Sequence, residues 1–121
     1  MSDRTDLQFI QDILESIHAA IEFVADYDVE SFSNDRKTKS ATIRELEIIG
    51  EAASRISIEN KDKYFAVPWR LMNDFRNVLS HEYFGVNDEV VLDIVKHKLL
   101  SLKKQIAEII LLENSIDRPV S

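Results

Sequence analysis

Residues 6–26 read DLQFIQDILESIHAAIEFVAD and decide the fold. Within them Leu7, Ile10, Leu14, Ile17, Ile21 and Val24 recur at alternating steps of three and four, the pattern of one face of an antiparallel bundle helix. Asp3 is the expected N-cap, and Asp6 favours the positive helix end. The helix should fade near Asp26, where Tyr27 to Arg36 turns polar and irregular. Three more helices follow. One over residues 38–58 carries Leu46, Ile49, Ala53 and Ile56 on one side. Asn60 to Val67 reads as a loop, and Pro68 starts a third helix with Trp69, Met72, Phe75 and Leu79 facing the core. That helix should end near Tyr83, with Gly85 in the left-handed position beyond it. Asn87 caps the fourth, Asp88 and Glu89 fill its first turn, and Leu92, Val95, Leu99, Leu102, Ile106 and Ile109 form its seam. Asn114 to Ser121 should fray. The expectation is all-α: a four-helix up-and-down bundle in a single domain over residues 1–121.

Composition agrees. The chain has 121 residues, 45% hydrophobic, with 2 Gly and 2 Pro, far below the roughly 12% those turn-formers normally supply. With 0 Cys there is no disulfide framework, thiolate zinc site or cysteine nucleophile. No apolar run approaches the ~18 residues of a membrane span, and the N-terminus lacks signal-peptide order. A cytoplasmic domain without membrane attachment is expected. Several apolar residues fall off the seams, among them Ile13, Phe23, Ile48, Val78 and Ile109 to Leu112; a homodimer would cover them.

The net charge is −7, and it is uneven. Residues 5–35 hold Asp6, Asp12, Glu15, Glu22, Asp26, Asp28, Glu30 and Asp35 with no Lys or Arg, a local −8 against +1 for the rest. Broad nonspecific binding of a polyanion is disfavoured. A small local site remains open.

Of three histidines, His18 lies beside the first seam and His97 between Lys96 and Lys98; both read as packing or surface groups. No histidine pair has i, i+4 spacing and the carboxylates do not cluster as a cation-binding loop, so no metal or other cofactor is expected. Arg44, Glu47, Glu51 and Arg55 form a charged ladder whose plain reading is a solvated salt-bridge face. Gly50 sits inside that helix at about 1 kcal/mol of cost relative to Ala, which points to close approach by another helix.

His81 differs. It closes Arg76-Asn77-Val78-Leu79-Ser80-His81-Glu82-Tyr83, where an arginine, an amide, a hydroxyl, an imidazole and a phenol crowd one helix end. These types suit phosphodiester chemistry. A guanidinium matches phosphate oxygens and keeps its charge, while an imidazole titrates near neutrality and can move the proton of a ribose 2′-hydroxyl. Geometry limits the picture: at 100° per residue, Arg76 and His81 stand about 140° apart on a regular helix. Asn77 and His81 share a face, and Arg76 pairs with Ser80. Two copies across a dimer, or an irregular last turn, would bring Arg76 and His81 together.

Ile48-Ile49-Gly50-Glu51-Ala52-Ala53, Val67-Pro68-Trp69-Arg70, Phe75-Arg76-Asn77 and His81-Glu82-Tyr83-Phe84-Gly85 resemble, over nearly the whole chain, the HepT-like proteins, the DUF86 branch of the HEPN superfamily. The resemblance implies a dimeric, metal-independent ribonuclease, the toxin of a type VII toxin–antitoxin pair, with motifs of both protomers lining one cleft. Carried over, Arg76 and His81 are the catalytic pair and Asn77 the polar position after the arginine; Ser80, which shares a face with Arg76, is read with Asn77 as a supporting, RNA-binding group. Tyr83 holds the place of the tyrosine that an MntA-like minimal nucleotidyltransferase modifies with AMP. The expected partners are a second copy, that antitoxin and an RNA substrate. Glu47 or Glu51 would hold Arg76 or His81 if the ladder faces the cleft. The alternative is a catalytically silent HEPN module that binds a partner or a nucleotide.

Overall fold

The computed structural model describes residues 4–80 and 87–116, and within them the side chains of 4–76 and 87–115. Every regular element among them is helical: α1 (Asp6–Phe23), α2 (Val29–Asn34), α3 (Arg36–Ser54), α4 (Ile58–Lys63), α5 (Trp69–Ser80), α6 (Asp88–Asp93), a π-helical turn (Ile94–Lys98) and α7 (Leu99–Ile116). Four long rods result, since α6, the π turn and α7 follow one another without a break. α1 packs on α3 and α7, and α3 packs on α5. The all-α bundle is as the sequence reading expects.

Local chemistry explains the boundaries. Thr5, not Asp3, caps α1: its hydroxyl accepts from Gln8 N at 3.2 Å while Gln8 Oε1 accepts from Thr5 N at 2.9 Å. Asp3 lies outside the described residues. Asp6 stands in the first turn, but its Oδ2 accepts from Ser57 N at 3.1 Å, Ser57 Oγ at 2.5 Å and Asn60 Nδ2 at 2.7 Å, tying the start of α1 to that of α4. The residues read as a polar irregular link form α2, capped by Asp28 and Ser31 and anchored by Phe32, which is fully buried. The second helix runs Arg36–Ser54 rather than 38–58, and part of the expected 60–67 loop is α4, capped by Ser57. Asn87 caps α6 by accepting from Glu89 N, as expected.

The core is continuous. Leu46, Ile49, Ala53 and Ile56 are buried, as are Trp69, Met72 and Phe75, and so is the whole predicted seam from Leu92 to Ile109. The face of α1 is corrected: Ile10, Ile13, Ile17, Ala20 and Val24 are buried, whereas Leu7, Leu14 and Ile21 are half-buried at its flank. Ile13, read as surplus, belongs to the core because α1 fills the angle between α3 and α7 and so needs a wider apolar stripe. Ile109 is likewise buried, while Phe23, Leu111 and Leu112 are exposed. α7 continues through Asn114 to Ile116, past the expected start of fraying.

Candidate active site

The start of α5 fixes what its outer face presents. Val67 is buried, Trp69 Nε1 donates to the Tyr64 carbonyl at 3.1 Å, and Trp69, Met72 and Phe75 turn into the core. The 3.6-residue repeat then sends Arg70, Asn73, Asp74 and Arg76 outward, and all four are exposed.

Arg76 leaves the bundle over a defined piece of backbone. Gly50 is buried in the middle of α3, and a Cβ placed there would overlap Arg76 Cγ and lie 3.2 Å from Arg76 Cδ and 3.1 Å from the Met72 carbonyl oxygen. The close approach expected at Gly50 is therefore made by α5, and specifically by the aliphatic stem of Arg76. Beyond that stem the guanidinium has no carboxylate partner among the described residues. Of the ladder on α3, Arg44 pairs with Glu47, three residues away on the same helix, and Glu51 is exposed without an ion pair among the described residues. Glu47 thus serves Arg44 and not Arg76. A guanidinium held at its root and without an ion pair among the described residues can donate from its fork to an anionic oxygen.

Asn77 and Ser80 lie on the last turn of α5, and their side chains are outside those described. His81 and Tyr83 lie outside the described residues, as do Gly85 and the predicted end of the third helix. Arg76 is the member of the predicted set whose setting is visible. The other histidines are surface groups: His18 is exposed, and His97 Nε2 stands 3.7 Å from Asp93 Oδ1 at an exposed position. Among the described residues no group of three or more His, Asp or Glu could hold a metal ion, and no described helix is long and apolar enough to cross a membrane.

Among the described residues the groups with displaced protonation sit elsewhere and do structural work. Asp35 accepts from the Tyr27 hydroxyl at 2.5 Å, from Thr38 N at 3.0 Å and from Thr38 Oγ1 at 2.8 Å, and these donors pull its carboxyl down to about 2. Burial and the neighbouring Glu113 push the Tyr64 phenol up, and a hydrogen bond to Glu113 raises Lys63. Together those three clip α4 to α7. The spacing of Gly50 announced a close approach, but the partner, Arg76, has no signal in the sequence.

Known proteins place the chain. The HepT-like family profile, described as Ribonuclease HepT-like, matches residues 13–109. The chain is 42% identical over 106 residues to "Putative RNase MJ1380" of Methanocaldococcus jannaschii, covering 88% of this chain and 97% of that one. It is 43% identical over 102 residues to "Putative RNase MJ0127" of the same organism, covering 84% of each chain. It is 41% identical over 100 residues to "Probable ribonuclease HepT" of Thermococcus cleftensis, covering 83% of this chain and 91% of that one. No solved structure matches it. The match spans both helices that form the Gly50–Arg76 contact and extends nearly end to end in these relatives, so the chain belongs to the HepT-like ribonuclease family.

Proposed function

We propose that this chain is the toxin of a type VII toxin–antitoxin pair, a cytoplasmic, metal-independent endoribonuclease that works as a homodimer. The observation that carries the reading is the Arg76 guanidinium: exposed on α5, rooted against α3 and without an acidic partner among the described residues, it is free for a phosphate. In the proposed reaction His81 takes the proton of a ribose 2′-hydroxyl as that oxygen attacks the adjacent phosphorus. Arg76 steadies the charge growing on the phosphoryl oxygens, Asn77 orients either the phosphate or His81, and Ser80 supports RNA binding. The P–O5′ bond breaks as the leaving oxygen takes a proton from water, leaving a 2′,3′-cyclic phosphate on one fragment and a 5′-hydroxyl on the other. DNA, lacking the attacking hydroxyl, is resistant.

Control of the same site follows from charge. An MntA-like nucleotidyltransferase would move AMP from ATP to the Tyr83 hydroxyl with release of pyrophosphate. The added phosphodiester and adenosine, two residues from His81, would repel RNA phosphate and fill the cleft.

The acidity of the chain favours a second reading, a silent module that binds a partner without cutting RNA. Its net charge is −7, and Glu15, Glu22, Asp26, Asp28 and Glu30 are all exposed. One set of assays separates the two. Purified protein in EDTA is incubated with bulk tRNA and with a messenger transcript, and product ends are identified. The toxin reading expects cyclic-phosphate ends, with Arg76→Ala and His81→Ala each slower by about 10² to 10⁴-fold. Undiminished cleavage by either variant refutes the catalytic assignment, and no cleavage by wild type leaves the silent module. Intact mass after incubation with ATP and the antitoxin should rise by AMP units in wild type and not in Tyr83→Phe.

A further inference from the structure

We infer that Gly50 is a positioning residue for Arg76: the missing side chain on α3 forms a notch in which the arginine stem lies, so that α3 sets where the guanidinium meets phosphate. The inference rests on the reading of Arg76 as the phosphate-binding group and adds the device that aims it. Three observations converge on it. Gly50 is buried in the interior of a 19-residue helix, where glycine is a poor helix former and needs a reason. A Cβ there would overlap Arg76 Cγ, the second carbon of the stem, which cannot swing aside without moving the rest of the side chain. The same Cβ would lie 3.1 Å from the Met72 carbonyl, which in an α-helix receives the amide of residue 76. The notch therefore touches both the Arg76 stem and the turn of backbone that carries it.

The guanidinium has no ion pair among the described residues to orient it. Its direction is set by the first carbons of its stem. Fixing those carbons against a helix backbone leaves only the outer torsions to be ordered when substrate binds. Misplacement of a catalytic group by about 1 Å can cost on the order of 10²-fold in rate. Glycine at residue 50 is thus part of the site's construction, although it touches no substrate.

The test is a double-mutant cycle of Gly50→Ala and Arg76→Ala, read in kinetics and in stability. With whichever RNA wild type cleaves, bulk tRNA or a messenger transcript, Gly50→Ala should lower kcat by about 10 to 100-fold and leave KM within about threefold. The double variant should match Arg76→Ala, because Ala at residue 76 has no stem to displace. A Gly50→Ala enzyme with wild-type kcat overturns the inference, as does an equal loss of rate in both backgrounds. If Arg76→Ala itself retains wild-type activity, the proposed role of Arg76 fails; that outcome is distinct from failure of the notch.

Urea denaturation gives a second readout that needs no activity. Gly50→Ala should lower the unfolding midpoint more when Arg76 is present than when residue 76 is Ala, since the overlap with the stem is then gone and only the tight contact with the Met72 carbonyl remains. A single Gly50→Ala variant that fails to fold, beside a double variant that folds, also supports the contact. Failure of both to fold overturns it.

Discussion

Asp35 carries three hydrogen bonds on one half-buried turn: the Tyr27 hydroxyl, and the backbone amide and hydroxyl of Thr38. All three favour the carboxylate, and its titration falls from 3.8 to about 2. A depressed carboxyl contributes stability that is complete above the unfolded value and vanishes as pH falls through the folded one. The Asp35 contribution is therefore present above about pH 4 and fades between about 4 and 2. Asp6 has the same sign: burial pushes it up, but hydrogen bonds from Ser57 and Asn60 outweigh this and hold it below its ordinary value. Asp35→Asn should unfold at lower urea than wild type at neutral pH, and its midpoint should fall less steeply between pH 4 and pH 2. Circular dichroism across that range measures both, and parallel curves would show that Asp35 is not the group responsible. Arg76 illustrates how far such residue-level detail is legible in sequence. Its chemical type and its place in the third helix were readable, and a buried glycine was readable as a near approach. That the two meet was not, because contacts across helices depend on how the rods are rotated.

Elements divide by length. Long helices repeat their apolar face many times, so the seam from Leu92 to Ile109 and the faces carrying Ile49 and Met72 could be read directly. A six-residue helix such as α2 has fewer than two turns and no periodicity to detect; only its caps give it away, in the Asp28-x-x-Ser31 spacing. The π turn at Ile94–Lys98 leaves no Gly or Pro mark either, and it carries Lys96, whose ammonium donates to the Tyr27 carbonyl beyond the end of α1. α2 is too short to persist by propensity and exists because Phe32 is locked in the core. Phe32→Ala should cost about 3 to 5 kcal/mol, the range for a fully buried aromatic. Since α2 has little else to hold it, amide exchange over residues 29–34 should accelerate beyond that of α1 and α3. Uniform acceleration across the bundle would mean that α2 has no independent dependence on Phe32.

At the scale of the whole molecule, the apolar surplus that argued for a dimer is smaller than the sequence alone implied, because Ile13 and Ile109 are core. Exposed apolar groups remain at Phe65, Leu100, Leu111 and Leu112. The stronger argument for a second copy is angular. On an ideal regular helix Arg76 and His81 would face about 140° apart and would not meet at one phosphate, whereas two chains related by a twofold axis would allow it. If each of the two Arg–His pairs in the shared cleft takes its arginine from one protomer and its histidine from the other, subunit exchange can be made to reveal it. Arg76→Ala and His81→Ala should each be slowed by about 10² to 10⁴-fold alone. Mixed and allowed to exchange, half of the dimers become heterodimers, in which one pair has lost both groups and the other has kept both. Equal mixing should then restore about a quarter of wild-type RNA cleavage. The recovery should rise with exchange time and follow heterodimer formation seen by native mass spectrometry. Heterodimers that form without any return of cleavage would place the whole catalytic pair within one chain and require the last turn of that helix to bend His81 toward Arg76.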